Sequence, residues 1–89
     1  MVKTKQKKDW FVYIIEAENG KLYTGITTDL ERRFVEHQSK QKGAKFFFSS
    51  PAKQLVYQET HPNRSTASKR EAAIKKLSRK AKIDLIENQ

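Results

Sequence analysis

The feature that most constrains the fold is a pair of apolar segments separated by a short turn signal. The first segment, residues 10–16, reads WFVYIIE, and the second, Leu22–Ile26, follows Glu18-Asn19-Gly20. Aromatic and β-branched residues favour strands, and an Asn-Gly step between two such runs is typical of a β-hairpin. We therefore predict that the ordered part of the chain begins with a hairpin.

Two registers are open to this hairpin. A two-residue Asn19-Gly20 loop would put Tyr13 and Tyr23 on opposite faces of the strands. A three-residue loop, closed by Gly20 in the left-handed region, would put both tyrosines on one face. We predict the second register, because only it separates an aliphatic face from a tyrosine-bearing face. The tyrosine-bearing face would then contain Phe11, Tyr13, Ile15, Tyr23 and Gly25.

Past the hairpin, the pattern predicts a helix, a third strand and two more helices. The first helix lies within residues 27–38, with Thr28 as N-cap and Glu31 completing a capping box. A strand over Gln54–Glu59 follows, then a helix from near Ser65 to about Leu77 and a last helix capped by Ser78. The helices have apolar positions at Leu30 and Phe34, at Ala67, Ile74 and Leu77, and at Ile83 and Ile86.

The predicted fold class is α+β, a small three-stranded antiparallel sheet flanked by helices in the order β-β-α-β-α-α. Residues 9–89 form the single predicted domain, and residues 1–8 a flexible basic tail.

The net charge of +9 is unevenly distributed along the 89 residues. Residues 1–8 carry +4, residues 9–60 sum to zero, and residues 61–82 carry +7. A neutral body with a basic tail and a basic C-terminal third indicates a polyanionic partner, although charge alone fits a solvated lysine surface as well.

The composition also excludes several classes of site. There is no cysteine, so a disulfide framework and a cysteine-ligated zinc site are both excluded. The two histidines, His37 and His61, are too far apart in sequence to indicate a histidine-rich metal site. The longest apolar run, residues 10–15, is too short for a membrane span or a signal-peptide core. We expect a cytoplasmic monomer that does not bind membranes.

The ordered motifs resemble the GIY-YIG nuclease family. Val12-Tyr13-Ile14 resembles the first half of the signature, and Tyr23-Thr24-Gly25 resembles the second half. Arg33 and His37, four residues apart on the predicted helix, match the family's arginine and the aromatic or histidine that follows it. Glu71 matches the helix-borne metal ligand. The resemblance extends from Trp10 to Ile86 and is closest to small stand-alone bacterial proteins.

The sequence also departs from the family pattern in places. Phe11 replaces the first glycine of the signature, and Ile26 stands where repair relatives carry a lysine. Residues 46–48 are three phenylalanines in a loop where the stand-alone relatives would have a tyrosine, a threonine and an arginine. These phenylalanines either pack against the core or form a stacking platform for unpaired bases.

The resemblance implies a phosphodiester-cleaving site with one Mg²⁺ or Mn²⁺ ion. Arg33 would neutralise charge on the phosphate, because a guanidinium stays charged and can bridge two oxygens. Tyr13 or Tyr23 would activate water, provided that its pKa is lowered or its proton moves in concert, and His37 would relay a proton or hold a phosphate. Glu71 would be the single protein ligand of the metal. The alternatives are packed tyrosines, a surface histidine, a solvated arginine and a Glu71 salt bridge.

The basic C-terminal third would bind backbone phosphates without reading sequence. Its predicted nucleic-acid-binding residues are Lys69, Arg70, Lys75, Lys76 and Arg79. The function predicted from the sequence is a metal-dependent endonuclease, with DNA a more expected substrate than RNA. The main rival is a nucleic-acid-binding module of the same shape with little or no catalysis, and a protein-interaction module is a third reading.

Overall fold

The computed structural model describes residues 9–39, 45–47 and 50–89. Within these residues the chain forms three strands and three α-helices in the predicted order. The elements are β1 (Trp10–Ala17), β2 (Leu22–Thr27), α1 (Leu30–Ser39), a 3₁₀ turn (Lys45–Phe47), β3 (Ala52–His61), α2 (Arg64–Lys75) and α3 (Arg79–Glu87). The strands form one antiparallel sheet in the order β2-β1-β3, so the predicted fold class is confirmed. The predicted tail, residues 1–8, lies outside the described residues.

The hairpin adopts the predicted three-residue register. The Ala17 amide donates to the Lys21 carbonyl at 2.9 Å, and the Gly20 amide donates to the Ala17 carbonyl at 2.8 Å. Gly20 has a φ of +87°, a left-handed conformation that side chains disfavour. Tyr13 is consequently opposite Gly25, and both tyrosines of the motif share one face of the sheet.

The two faces of the sheet have separate cores. On the aliphatic face, α2 and α3 cover a cluster built around Val12, Ile14, Tyr57, Ala67 and Ile74. On the tyrosine face, α1 and the 3₁₀ turn cover a cluster built around Tyr13, Ile15, Ala17, Phe47 and Ala52, with Tyr23, Leu30 and Phe34 against it. Phe47 is fully buried, so this phenylalanine packs in the core, whereas the side chains of Phe46 and Phe48 lie outside the described part.

Two details of the predicted helices are wrong. The cap of α1 is Asp29 and not Thr28, because the Asp29 carboxylate accepts the Arg32 amide at 3.0 Å. The Thr27 hydroxyl accepts the Asp29 amide at 3.1 Å and holds this cap in place. The second error concerns Leu77, which is 38% exposed because α2 ends at Lys75, before the apolar stripe reaches it.

The other boundaries are close to those predicted. Asn63 caps α2, which begins one residue before Ser65, and Ser78 caps α3 as predicted. The strand β3 is longer than predicted, and two irregularities in its pairing with β1 accommodate the extra length. None of the helices in the described ranges is long and apolar enough to cross a membrane.

Candidate active site on the tyrosine face

The site begins with the close approach of Tyr13 to the backbone of β2. A Cβ atom added to Gly25 would lie 2.5 Å from the Tyr13 hydroxyl oxygen and 2.7 Å from its Cζ atom. The phenol therefore lies across β2 at a position that only glycine leaves open. The Tyr23 ring lies beside it, with the two ring centroids 6.3 Å apart. The two halves of the sequence motif thus meet in one place, as their shared face predicts.

Helix α1 brings the next two predicted residues onto this face. Arg33 and His37 are one turn apart on the helix, so both side chains reach the same side. Nε2 of His37 lies 2.9 Å from the Tyr13 hydroxyl oxygen, and the His37 side chain is fully buried. The reading of His37 as a surface histidine is therefore wrong: Tyr23 and Phe47 enclose its ring, with centroid distances of 5.2 and 4.5 Å.

Arg33 lies between the tyrosine and a carboxylate that is not among the predicted site residues. Its Nη1 donates to Oε1 of Glu36 at 2.8 Å, and its guanidinium is close enough to the Tyr13 hydroxyl to oppose the rise in the pKa of that group. The Arg33 side chain remains 30% exposed, so it is not sealed inside the core. The spacing of Arg33 and Glu36, three residues on a helix, is a signal that could have found the pair.

The protonation of the site follows from its burial. Burial raises the pKa of Tyr13 to about 12, and the neighbouring Tyr23 adds to the rise, against the opposing effect of Arg33. Burial, assisted by the positive charge of Arg33, lowers the pKa of His37 to about 4. At neutral pH the pair is therefore a protonated phenol beside a neutral imidazole. The lowering effect of Arg33 is smaller than the effect of burial, so the pKa of Tyr13 stays above its ordinary value and a standing phenolate is not available as a base.

Glu71 lies on α2, near enough to Tyr13 for its charge to raise the pKa of that hydroxyl. Its side chain is 23% exposed and is paired with Nζ of Lys75 at 3.2 Å, one helical turn away. The salt bridge given as the alternative role of Glu71 is thus present, and Lys75, itself half exposed, forms it at the surface. A pair this exposed contributes little to stability.

The donor set near Glu71 fits a weakly held, hard divalent cation. Among the described residues there is no group of three or more histidine and carboxylate side chains that could enclose a metal ion. Mg²⁺ does not need such a cage, since it commonly keeps several waters and takes one or two carboxylates together with substrate phosphate oxygens. A single, partly exposed carboxylate whose charge acts on the tyrosine is compatible with that mode of binding.

The predicted nucleic-acid-binding residues fall into two groups. Lys69, Lys75, Lys76 and Arg79 have exposed side chains on α2, α3 and the turn between them. Arg70 instead donates through Nε to both oxygens of Glu59, at 2.9 and 3.3 Å. Glu59 also accepts from Tyr57 at 2.5 Å and pairs with His61 at 2.9 Å. The charge of Arg70 is therefore already compensated within the protein by Glu59, eleven residues away, which no spacing in the sequence connects with it.

Comparison with known proteins agrees with this geometry. Residues 9–84 match the family model of the GIY-YIG catalytic domain, so the chain belongs to the GIY-YIG family. Membership places it among nuclease-like proteins that interact with nucleic acid. Within that family, the chain is similar to the small bacterial proteins called UPF0213.

Two of these relatives are 53% identical to the chain. A UPF0213 protein of Desulfotalea psychrophila matches over 77 residues, which are 86% of this chain and 70% of the relative. A UPF0213 protein of Pseudomonas aeruginosa matches over 79 residues, 89% of this chain and 75% of the relative. The solution NMR structure of a UPF0213 protein from Bacillus halodurans superposes with a TM-score of 0.59 at 33% identity. That match covers 91% of this chain and 85% of the other.

Proposed function

We propose that this chain is a metal-dependent endonuclease that cleaves phosphodiester bonds in nucleic acid, with DNA as the first substrate to test. The observation that carries the proposal is the hydrogen bond between the Tyr13 hydroxyl and Nε2 of His37, with the Arg33 guanidinium close enough to act on the same hydroxyl. A guanidinium, a phenol and an imidazole are three different chemical groups, and the charge of the one carboxylate proposed to hold a metal, Glu71, also acts on the phenol.

Arg33 is suited to binding the reacting phosphate. Its side chain is partly exposed, and its bond to Glu36 together with its interaction with Tyr13 restricts the orientation of the fork. A planar, fixed guanidinium can donate two parallel hydrogen bonds to phosphate oxygens and stabilise the charge that grows on them during attack. In this position Arg33 also brings the phosphate next to the Tyr13 hydroxyl.

Tyr13 and His37 can move a proton in concert. A neutral phenol with a pKa of about 12 is not a base at pH 7, but its oxygen can take a proton from an attacking water while its own proton passes to Nε2 of His37. The water becomes the hydroxide that attacks phosphorus, and an imidazolium forms. Because the pKa of His37 is about 4, the imidazolium returns its proton readily once the bond has broken.

Glu71 would hold the divalent metal, Mg²⁺ or Mn²⁺. When bound, such an ion polarises phosphate oxygens and stabilises the leaving oxygen. Lys75 already pairs with Glu71, so Glu71 must exchange this ammonium for the cation. Since the pair is partly exposed, breaking it costs little free energy. We expect metal affinity to be weak until a substrate phosphate contributes further oxygens.

The second candidate is a binding module of the same fold that does not cleave. The burial of His37 and the high pKa of Tyr13 favour this reading. A resting site with neither a free base nor a charged acid has no group ready to transfer a proton. Both candidates require nucleic-acid binding through the basic C-terminal third. They differ only in turnover.

A cleavage screen separates the two functions. Flaps, forks, single strands and duplexes of DNA and RNA are incubated with the wild type and with Glu71→Gln, each in Mg²⁺, in Mn²⁺ and in EDTA. The endonuclease is supported by metal-dependent cleavage that Glu71→Gln lacks while still binding the same substrate. Binding by the wild type to several substrates without cleavage in either metal supports the binding module instead.

A further inference from the structure

A small basic cavity lies where the hairpin meets α3. It has a volume of about 220 Å³, and its lining residues are Lys21, Leu22, Arg79 and Lys82. We propose that Lys21, Arg79 and Lys82 form a second phosphate-binding site, which holds the nucleic-acid backbone at a distance from the reacting phosphate. The chemical class of the ligand, a phosphodiester, rests on the proposed function, whereas the cavity and its charges do not.

The charge of this cavity is uncompensated within the part of the chain that the structure describes. None of its three cations has an ion-pair partner among the described residues, in contrast to Arg33, Arg70 and Lys75, each of which pairs with a glutamate. The acids nearest in sequence, Glu18 and Asp84, do not line the cavity. Three like charges around one cavity repel one another, and an anion between them relieves that repulsion.

The fold, and not the sequence, brings these cations together. Lys21 begins the return strand of the hairpin, in the region of zero net charge, whereas Arg79 and Lys82 occupy the first turn of α3. Leu22 packs against the aliphatic core, as do Leu85 and Ile86 of α3, so the same core fixes both sides of the cavity. The site is therefore part of the folded body and not a set of independent surface side chains.

Its position predicts how much nucleic acid is needed to fill it. Lys21 lies four residues before Gly25, the partner of Tyr13, which is about 13 Å along β2 at the rise of a strand. A duplex advances about 3.4 Å per nucleotide on each strand. The second site would therefore hold a phosphate roughly four nucleotides or more from the one that reacts.

The first test uses inorganic phosphate as the probe. Amide spectra of ¹⁵N-labelled protein are recorded during a phosphate titration at constant ionic strength. We expect saturable shifts that are concentrated at residues 21, 22 and 78–82. Shifts that are spread over all the basic residues without saturation would overturn the proposal.

The second test compares two double variants of equal charge. Lys21→Gln with Lys82→Gln removes two cations of the cavity, and Lys45→Gln with Lys53→Gln removes two exposed lysines elsewhere. Duplex binding is measured against salt concentration. The slope of the logarithm of the binding constant against the logarithm of salt concentration should become shallower by about 0.9 for each phosphate contact that the cavity variant loses. The control variant should change this slope less. Equal slopes for the two variants would refute the second site.

These outcomes separate the two proposals. Cleavage by the wild type together with equal slopes would leave the endonuclease standing without the second site. Saturable phosphate binding at the cavity and a reduced slope, with no cleavage under any condition, would leave the second site standing without the endonuclease.

Discussion

The hydroxyl of Tyr13 lies 2.9 Å from Nε2 of His37, and this hydrogen bond joins β1 to α1 across 24 residues of sequence. Both side chains are almost fully buried. Their burial keeps both groups neutral, since it raises the pKa of the phenol and lowers that of the imidazole. The pair is thus a part of the core as well as a part of the candidate site, and its protonation has consequences for stability and, under the proposed function, for activity.

Acid should unfold the protein partly through His37. Its folded pKa of about 4 lies below the ordinary value of 6.5, so between these two pH values the unfolded chain binds a proton that the folded chain does not. The contribution is fully present above pH 6.5 and is lost as the pH falls toward 4. We expect a loss of roughly 3 kcal/mol in the free energy of unfolding over this window.

Urea unfolding at pH values from 4 to 7.5 measures this loss, with His37→Gln as the variant that cannot titrate. The variant should show a smaller decline over the same window. Equal declines would mean that carboxylates alone cause the acid sensitivity. The ring resonances of His37 give an independent check, because they should titrate with a midpoint near pH 4.

If the proposed endonuclease is correct, Glu71→Gln should abolish cleavage and leave binding nearly unchanged, because the charge that would hold the cation is lost while the shape of the side chain remains. The Glu71–Lys75 pair is partly exposed, so the melting temperature should change by no more than a few degrees. Glu87→Gln is a matched control, since Glu87 is an exposed acid on α3 outside the site. Full activity of Glu71→Gln would remove this residue from the mechanism, and a large fall in melting temperature would make it structural.

Arg33→Lys should reduce turnover far more than substrate binding. A lysine keeps the positive charge but cannot contact Tyr13, Glu36 and a phosphate at once through a planar fork. Single-turnover cleavage together with equilibrium binding measures the two effects separately. Arg32→Lys, at an exposed neighbour on α1, is the control and should retain full activity. Equal losses in turnover and binding for Arg33→Lys would indicate that the guanidinium only attracts the substrate.

Thr24→Val should stabilise the protein. The Thr24 side chain is 3% exposed, and its hydroxyl has no hydrogen-bond partner among the described residues. A valine of nearly the same shape removes a buried polar group that is not satisfied, so the free energy of unfolding should rise by about 1 kcal/mol. In a domain of this size that is a rise of about 4–8 °C in melting temperature. Thr60→Val, at an exposed position of β3, is the control and should change the melting temperature little. A destabilised Thr24→Val would show that the hydroxyl has a partner after all.

Gly25→Ala should damage the fold and the site together. The new methyl group would overlap the Tyr13 hydroxyl, and the ring cannot move away without breaking its hydrogen bond to His37. We expect a loss of about 1–3 kcal/mol in stability, as for other overpacked positions. Gly20→Ala is the comparison: its methyl would meet no atom within 4 Å, but its left-handed φ is strained for alanine. Both variants should be less stable, but only Gly25→Ala should shift the His37 ring resonances.

The sequence predicts the features of this protein that depend on local chemistry. The Asn19-Gly20 step and the alternation of residue types suffice to predict the hairpin register, because a slip of one residue would exchange the two faces. The four-residue spacing of Arg33 and His37 suffices to place them on one side of α1.

What the sequence did not predict depends on distances between elements. The enclosure of His37 by Phe47 requires the 3₁₀ turn to fold back over α1, and no periodicity in the intervening residues indicates that. The pairing of Arg70 with Glu59 connects α2 to β3. From the sequence alone, either side chain could equally well point into solvent without a partner. The cap of α1 lies one residue beyond the predicted Thr28, because Asp29 is also a good N-cap residue and the backbone geometry decides between the two.

The crowding at Gly25 also bears on how sequences of this family are interpreted. Replacing Tyr13 by phenylalanine would remove the oxygen at 2.5 Å but leave Cζ at 2.7 Å, so a methyl group would still not fit. A descendant that lost the phenol hydroxyl would therefore remain under steric pressure to keep the glycine. The glycine indicates that an aromatic ring lies across the strand, whereas the tyrosine hydroxyl and its arginine and histidine neighbours are the positions at which the proposed chemistry would be kept or lost.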